Sequence, residues 1–159
     1  MASVKDLFVQ CRLDPQFEAT RLLKRPLRGP QVEIIKRVEA HVQKHAGGVM
    51  TILSARQTGK NEIAAKLQAR HLWRRQNSRF VAQWIRTAPT YAPQIVNSKK
   101  RLREMLNVNS KDVILNPLFE GRKLIREEGY IWRVGNASVE FISSGPQANV
   151  VGATASECL

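Results

Sequence analysis

The stretch Ser54-Ala55-Arg56-Gln57-Thr58-Gly59-Lys60-Asn61 constrains this chain more than any other. An apolar run, Val49 to Leu53, precedes it, and a helix-like segment, Glu62 to Arg75, follows. Strand, tight loop, Gly-Lys and helix together form an anion cradle. Backbone N–H groups of the loop and of the helix N-terminus face the anion, and the lysine adds a mobile positive charge. Ser54 stands where the standard phosphate-loop pattern has its first glycine, and Asn61 where it has Ser or Thr. Lys60 opens a helix, an unfavourable place for a cation unless an anion sits there.

The flanking segments predict an α/β domain. Pro30 suits a helix start, and Val32, Ile35, Val38 and Val42 recur at helical spacing up to Gly47-Gly48. Residues 49–53 are too short and β-branched for a helix and predict a buried strand. In the helix after Lys60, Ile63, Ala64 and Leu67 point inward, with Lys66, Arg70, Arg74 and Arg75 largely outward. Residues 79–87 predict a second strand. Ile95, Leu102 and Leu106 mark another helix, whose Lys99, Lys100, Arg101 and Arg103 face solvent. Alternating strands and helices predict a partly parallel sheet flanked by helices. Residues 124–126, 130–134 and 138–142, separated by Gly129 and Gly135-Asn136, predict a small antiparallel meander. Residues 1–29 read as a basic lead-in with a helical turn or two near Phe17–Leu23, and residues 30–159 as the domain proper. Trp73, Trp84 and Trp132 have the spacing of packing residues, not of a base-stacking platform.

The charge balance selects the partner class. Lys and Arg number 26 against 13 Asp and Glu, a net charge of +13. Residues 1–80 hold 16 basic and 6 acidic side chains and residues 81–159 hold 10 and 7, excesses of +10 and +3. Such an excess favours polyanions, nucleic acid first. Cys11 and Cys158 are far apart, which predicts reduced thiols. His41 and His45 share a helix face but lack the further ligands a metal site needs. There is no membrane-length apolar run, and the opening residues do not read as a signal peptide.

Several of these pieces, taken in order, resemble the large subunit of tailed-bacteriophage terminases, the motors that package DNA. Ser54 to Glu62 is similar to that family's variant phosphate loop. Arg28-Gly29-Pro30-Gln31 resembles its adenine-reading glutamine at a helix start. Thr87-Ala88-Pro89-Thr90, with Gln94 and Ser98, resembles the segment after its second strand. Phe141 to Ser144 and Gly152 to Ser156 resemble the approach to its acidic Walker B strand. The resemblance covers about residues 25–159 and implies a P-loop NTPase fold of the ASCE type, with ATP and Mg²⁺ as ligands. It also implies double-stranded DNA, a portal protein and a small terminase subunit as partners, homo-oligomers in the full-length motor, and the bacterial host cytoplasm as location.

The resemblance assigns roles residue by residue. Lys60 would bridge the terminal phosphates. Arg56 would act on the γ-phosphate in cis. Gln31 would read adenine, or merely sit polar in a first helical turn. Ser54, Ala55, Gln57, Thr58, Gly59 and Asn61 would line the phosphates, and the Asn61 amide would weakly replace the hydroxyl that helps hold Mg²⁺. Thr90 and Gln94 would lie on the ligand side of the sheet, or cap a loop. Apart from the resemblance, the basic faces Lys99, Lys100 and Arg103, and Lys66, Arg70 and Arg74, are candidates for contact with DNA phosphates or neighbouring subunits. The family continues into a strand ending in Asp-Glu, which organises Mg²⁺ and the attacking water; Leu159 precedes any such pair. The expectation is therefore an incomplete domain that binds nucleotide without useful hydrolysis. Two alternatives stand beside it. One is another P-loop nucleic-acid motor, helicase-like. The other is a non-enzymatic basic module whose Gly-Lys is accidental.

Overall fold

A computed structural model describes residues 3–44, 47–55, 57–109 and 125–145. Arg56, His45, Cys158 and the Gly152–Ser156 motif lie outside the described residues. The elements run α1 (Val4–Leu13), α2 (Pro15–Arg21), α3 (Gly29–Gln43), α4 (Lys60–Arg75), β1 (Ala82–Ala88), α5 (Val96–Asn109), β2 (Arg126–Glu128), β3 (Ile131–Val134) and β4 (Ala137–Ser143). The described strands form one mixed sheet in the order β1-β4-β3-β2, so the protein is α/β with helices flanking the sheet.

The meander forms as the glycines predict. β2 and β3 are antiparallel, as are β3 and β4. Gly135 turns the second hairpin at φ +57°, a conformation costly for residues with a Cβ, and a Cβ there would stand 2.3 Å from the Gln76 carbonyl oxygen. That closeness lets Asn136 donate from its backbone N–H to Gln76 O at 2.8 Å, and from its side chain to Ser78 O at 2.8 Å. The end of α4 is thereby clasped to the β3–β4 turn.

The parallel pairing differs from expectation. β4 lies parallel to β1, Ala82 opposite Ala137 through Ala88 opposite Ser143. Residues 49–53 form no strand; Val49 and Leu53 are 91% and 93% exposed. The strand preference of β-branched residues is a preference for packing on a paired sheet. Among the described residues β1 pairs only with β4, and 49–53 stands across a cleft from its other edge, so the preference is not expressed.

One face of the sheet carries the main core. Trp132, Val139 and Phe141 pack against Ala69 and Leu72 of α4 and Leu102 and Leu106 of α5. Trp132 and Phe141 meet edge to face with centroids 5.4 Å apart, the geometry that ring quadrupoles favour. A second cluster joins Ile35 and Val38 of α3 to Ile63 and Leu67 of α4, with half-buried Trp84 reaching both. The tryptophans thus serve packing, as their spacing predicts.

The basic lead-in contains two helices, of which α2 overlaps the helical turns expected near Phe17–Leu23. Ser3 caps α1, accepting from the Asp6 N–H at 3.1 Å while the Asp6 carboxylate takes the Ser3 N–H. Asp14 caps α2, which begins with Pro15. Both helices pack on α4 and bury the side expected to be solvated: Lys66 is 1% exposed and Arg70 2%. Arg70 pairs with Glu18 and with Glu39, and donates to the carbonyls of Cys11 and Arg12 at 3.3 Å, closing the C-terminal end of α1. Arg74 also bonds Glu39, and the Trp73 indole donates to Glu18. Lys66 donates to the Arg25 carbonyl. Arg70 and Arg74 face inward because Glu39, 31 and 35 residues away in sequence, meets them, and Lys66 because the Arg25 carbonyl, 41 residues away, does; helical periodicity encodes neither pairing. Lys66 and Arg70 are therefore structural groups, not DNA-facing ones.

Candidate functional site

The site is built where α4 begins. Gly59, at φ +84°, is the N-cap of α4, and no side chain caps the first turn. The first N–H groups of a 16-residue helix are thus left toward the loop, with the positive end of the helix dipole behind them. The loop is internally bonded. Thr58 Oγ1 donates to Ala55 O at 2.9 Å, and Lys60 Nζ donates to Ser54 O at 2.9 Å, so the ammonium folds back over the loop. Gln57 is held at φ +64°. Ser54 Oγ is buried without a partner among the described residues.

Gln31 meets this loop from 27 residues away in sequence. Its Nε2 donates to Thr58 O at 3.3 Å, and its Oε1 accepts the Arg28 N–H at 3.0 Å, the return bond of a capping box. A Cβ at Gly59 would stand 2.6 Å from Gln31 Nε2, so glycine is what allows the approach. The structure brings Gln31, Ser54, Ala55, Gln57, Thr58, Gly59, Lys60 and Asn61 together, while Arg56 lies outside the described residues. Gln31 is 7% exposed and already uses both ends of its amide. Its described work is to join the start of α3 to the loop.

Asn61 is exposed on the first turn of α4. Its neighbour Glu62 is held by Arg25 at 3.8 Å and Arg101 at 3.6 Å. Among the described residues, no three His, Cys, Asp or Glu side chains gather as a metal site. The described residues therefore do not form a metal-binding set of their own, and the Asn61 amide oxygen is the side-chain group that the resemblance offers to Mg²⁺.

On the other side of the loop lies a cleft of about 270 Å³ between α3, α4, residues 50–52 and the open edge of β1. Lys60, Gln68 and Arg86 line it. Nothing in the sequence singled out Gln68 or Arg86, since one sits mid-helix and the other mid-strand with no motif around them. Burial pushes the Arg86 guanidinium below its usual range.

The other sequence candidates lie apart. Gln94 accepts the Thr90 N–H at 3.4 Å and its carbonyl accepts from Ser98 Oγ at 3.0 Å, the loop-capping arrangement. Lys99 Nζ donates to Gly129 O at 2.8 Å and lies 5.5 to 5.9 Å from the Trp132, Phe141 and Tyr91 rings. Arg103 forms a two-bond pair with Glu127, which raises its pKa, and stacks over Trp132. These two residues tie α5 to the meander. Lys100 is exposed beside them.

Together these features define an α/β protein whose glycine-capped helix start carries a lysine-closed loop. No family model, curated protein or solved structure matches the chain. No described helix is long and apolar enough to cross a membrane.

Proposed function

We propose that residues 54–61 bind the phosphates of ATP, and that the chain is the ATP-binding part of a P-loop DNA-packaging motor of the terminase large-subunit kind. The observation that carries this reading is the convergence of Gln31 on the Thr58–Gly59 turn, directly beneath the uncapped start of α4 and Lys60. The family resemblance makes Gln31 and this loop parts of one nucleotide site, and they are 27 residues apart in sequence.

In this reading Lys60 exchanges its bond to Ser54 O for a phosphate oxygen, so that the acceptor as well as the donor is charged and the contact is stronger. The first-turn N–H groups of α4 receive the same anion. Mg²⁺ would arrive with the nucleotide and neutralise phosphate charge, and Asn61, on the first turn of α4, would be the side chain to touch it or its water shell. Arg56 would stabilise charge at the γ-phosphate. Double-stranded DNA, a portal protein, a small terminase subunit, further copies of the chain and the host cytoplasm belong to the same proposal through the resemblance.

The test is binding of a fluorescent ATP analogue with Mg²⁺ to the whole chain, wild type against Lys60→Ala. The reading expects saturable binding, weakened about tenfold or more in the variant. Equal binding by both proteins would refute it. Should DNA binding then dominate, with a steep salt dependence indifferent to Lys60→Ala, the basic-module alternative would take its place.

A further inference from the structure

The cleft beside the loop contains more positive charge and more unused donors than its own structure employs. Arg86 projects from the sheet face that also carries Trp84, with its Nε buried and without a hydrogen-bond partner among the described residues. Gln68 is 1% exposed, and its Nε2 is likewise unpartnered. Lys60 lines the same cavity, and none of the described residues lining it is acidic. Elsewhere in the molecule the buried guanidinium of Arg70 is matched by two carboxylates, Glu18 and Glu39. Arg86 is half-buried, and a partly desolvated guanidinium with no counter-charge among the described residues is costly unless an anion completes it.

The walls narrow the choice of anion. Met50, Ile52, Ile63 and Leu67 give the cleft apolar sides, where an ion pair is less screened than at the surface. Lys60 and Gln68 are eight residues apart on α4, about 12 Å along its axis, so the donors form a track and not a point. An extended polyanion fits a track better than a single small ion does.

We propose that Arg86, with Gln68, extends the loop site into this cleft and is a second cationic contact for a polyphosphate whose other end lies at Lys60 and the start of α4. The inference rests on the phosphate-binding reading of the loop and adds the residue that recognises chain length.

The experiment is calorimetric titration of the whole chain with inorganic tripolyphosphate and, separately, with orthophosphate. The proteins are wild type, Lys60→Ala, Arg86→Met, Arg86→Lys and Gln68→Met, each first checked for native helix content. The expected result is saturable tripolyphosphate binding by wild type, about tenfold weaker in Arg86→Met and partly restored in Arg86→Lys. Orthophosphate binding should fall with Lys60→Ala far more than with Arg86→Met. Tripolyphosphate affinity that is unchanged in Arg86→Met but lost in Lys60→Ala would overturn the cleft assignment and leave the loop reading standing. Absence of saturable binding by wild type would overturn both. A short acidic, apolar peptide that binds wild type but not Arg86→Met, with tripolyphosphate unaffected, would make the cleft a peptide groove and also overturn the proposal.

Discussion

Replacing Lys66 by methionine should stabilise the protein at neutral pH and lose that advantage in alkali. Lys66 is 1% exposed; its ammonium has the Arg25 carbonyl as partner, and Glu62 supports its charge while Arg25 opposes it. Burial is the largest influence and lowers its pKa from 10.5 to about 8. Below pH 8 the amine is charged in both states, and the folded state bears the full burial cost. Between 8 and 10.5 the unfolded chain holds the proton and the folded one does not, so wild-type stability rises with pH. A pKa displacement of this size corresponds to about 3 kcal/mol. Methionine keeps the length and most of the volume, removes that cost, and leaves the Arg25 carbonyl without its donor at about 1–2 kcal/mol. The net is a gain of about 1–2 kcal/mol near neutrality, falling to zero or reversing above the unfolded pKa. Urea unfolding followed by tryptophan fluorescence, at about pH 7 and about pH 10, measures the difference between the two proteins at each pH. A difference constant with pH, or a variant less stable at both, would refute the argument.

Two further substitutions probe the frame around the site. Arg70→Met leaves Glu18, 0% exposed, and Glu39 without a shared counter-charge and uncaps α1, so it should cost about 3–5 kcal/mol in urea unfolding, with part recovered by adding Glu18→Gln. Gly135→Ala adds a left-handed backbone penalty and forces Gln76 away, breaking the Asn136 clasp; a loss of about 2–3 kcal/mol and a lower thermal midpoint are expected.

The helices and hairpins that carry their own signals were legible in the sequence. Pro30 and the spacing of Ile35 and Val38 mark α3, and Gly129 and Gly135 mark the turns of the meander. The two N-terminal helices also carry a signal, Ser3 with Asp6 and Asp14 before Pro15, set among basic residues whose charge is the stronger compositional feature. Periodicity placed Lys66 and Arg70 outside because it reports which side of a helix is polar, not which polar side another helix will cover. Residues 49–53 have strand composition without a strand, since ladder formation depends on a neighbour that composition cannot supply. At the site, the loop and Gln31 were each visible, and their contact depends on the α3–α4 packing. Arg86 and Gln68 were invisible, because an unpaired donor is a property of three-dimensional surroundings.

The register of β1 on β4 also sets an order of events during synthesis. Ala82 pairs with Ala137, 55 positions later (137 − 82). At the ribosome's pace of about 5–20 residues per second, β1 emerges several seconds before its partner strand exists. Throughout that interval Trp84 lacks the β4 side chains that complete its cluster. The nascent chain is therefore more exposed to aggregation while residues 88–137 are made, and slowing the ribosome there should lower soluble yield more than slowing it before residue 60.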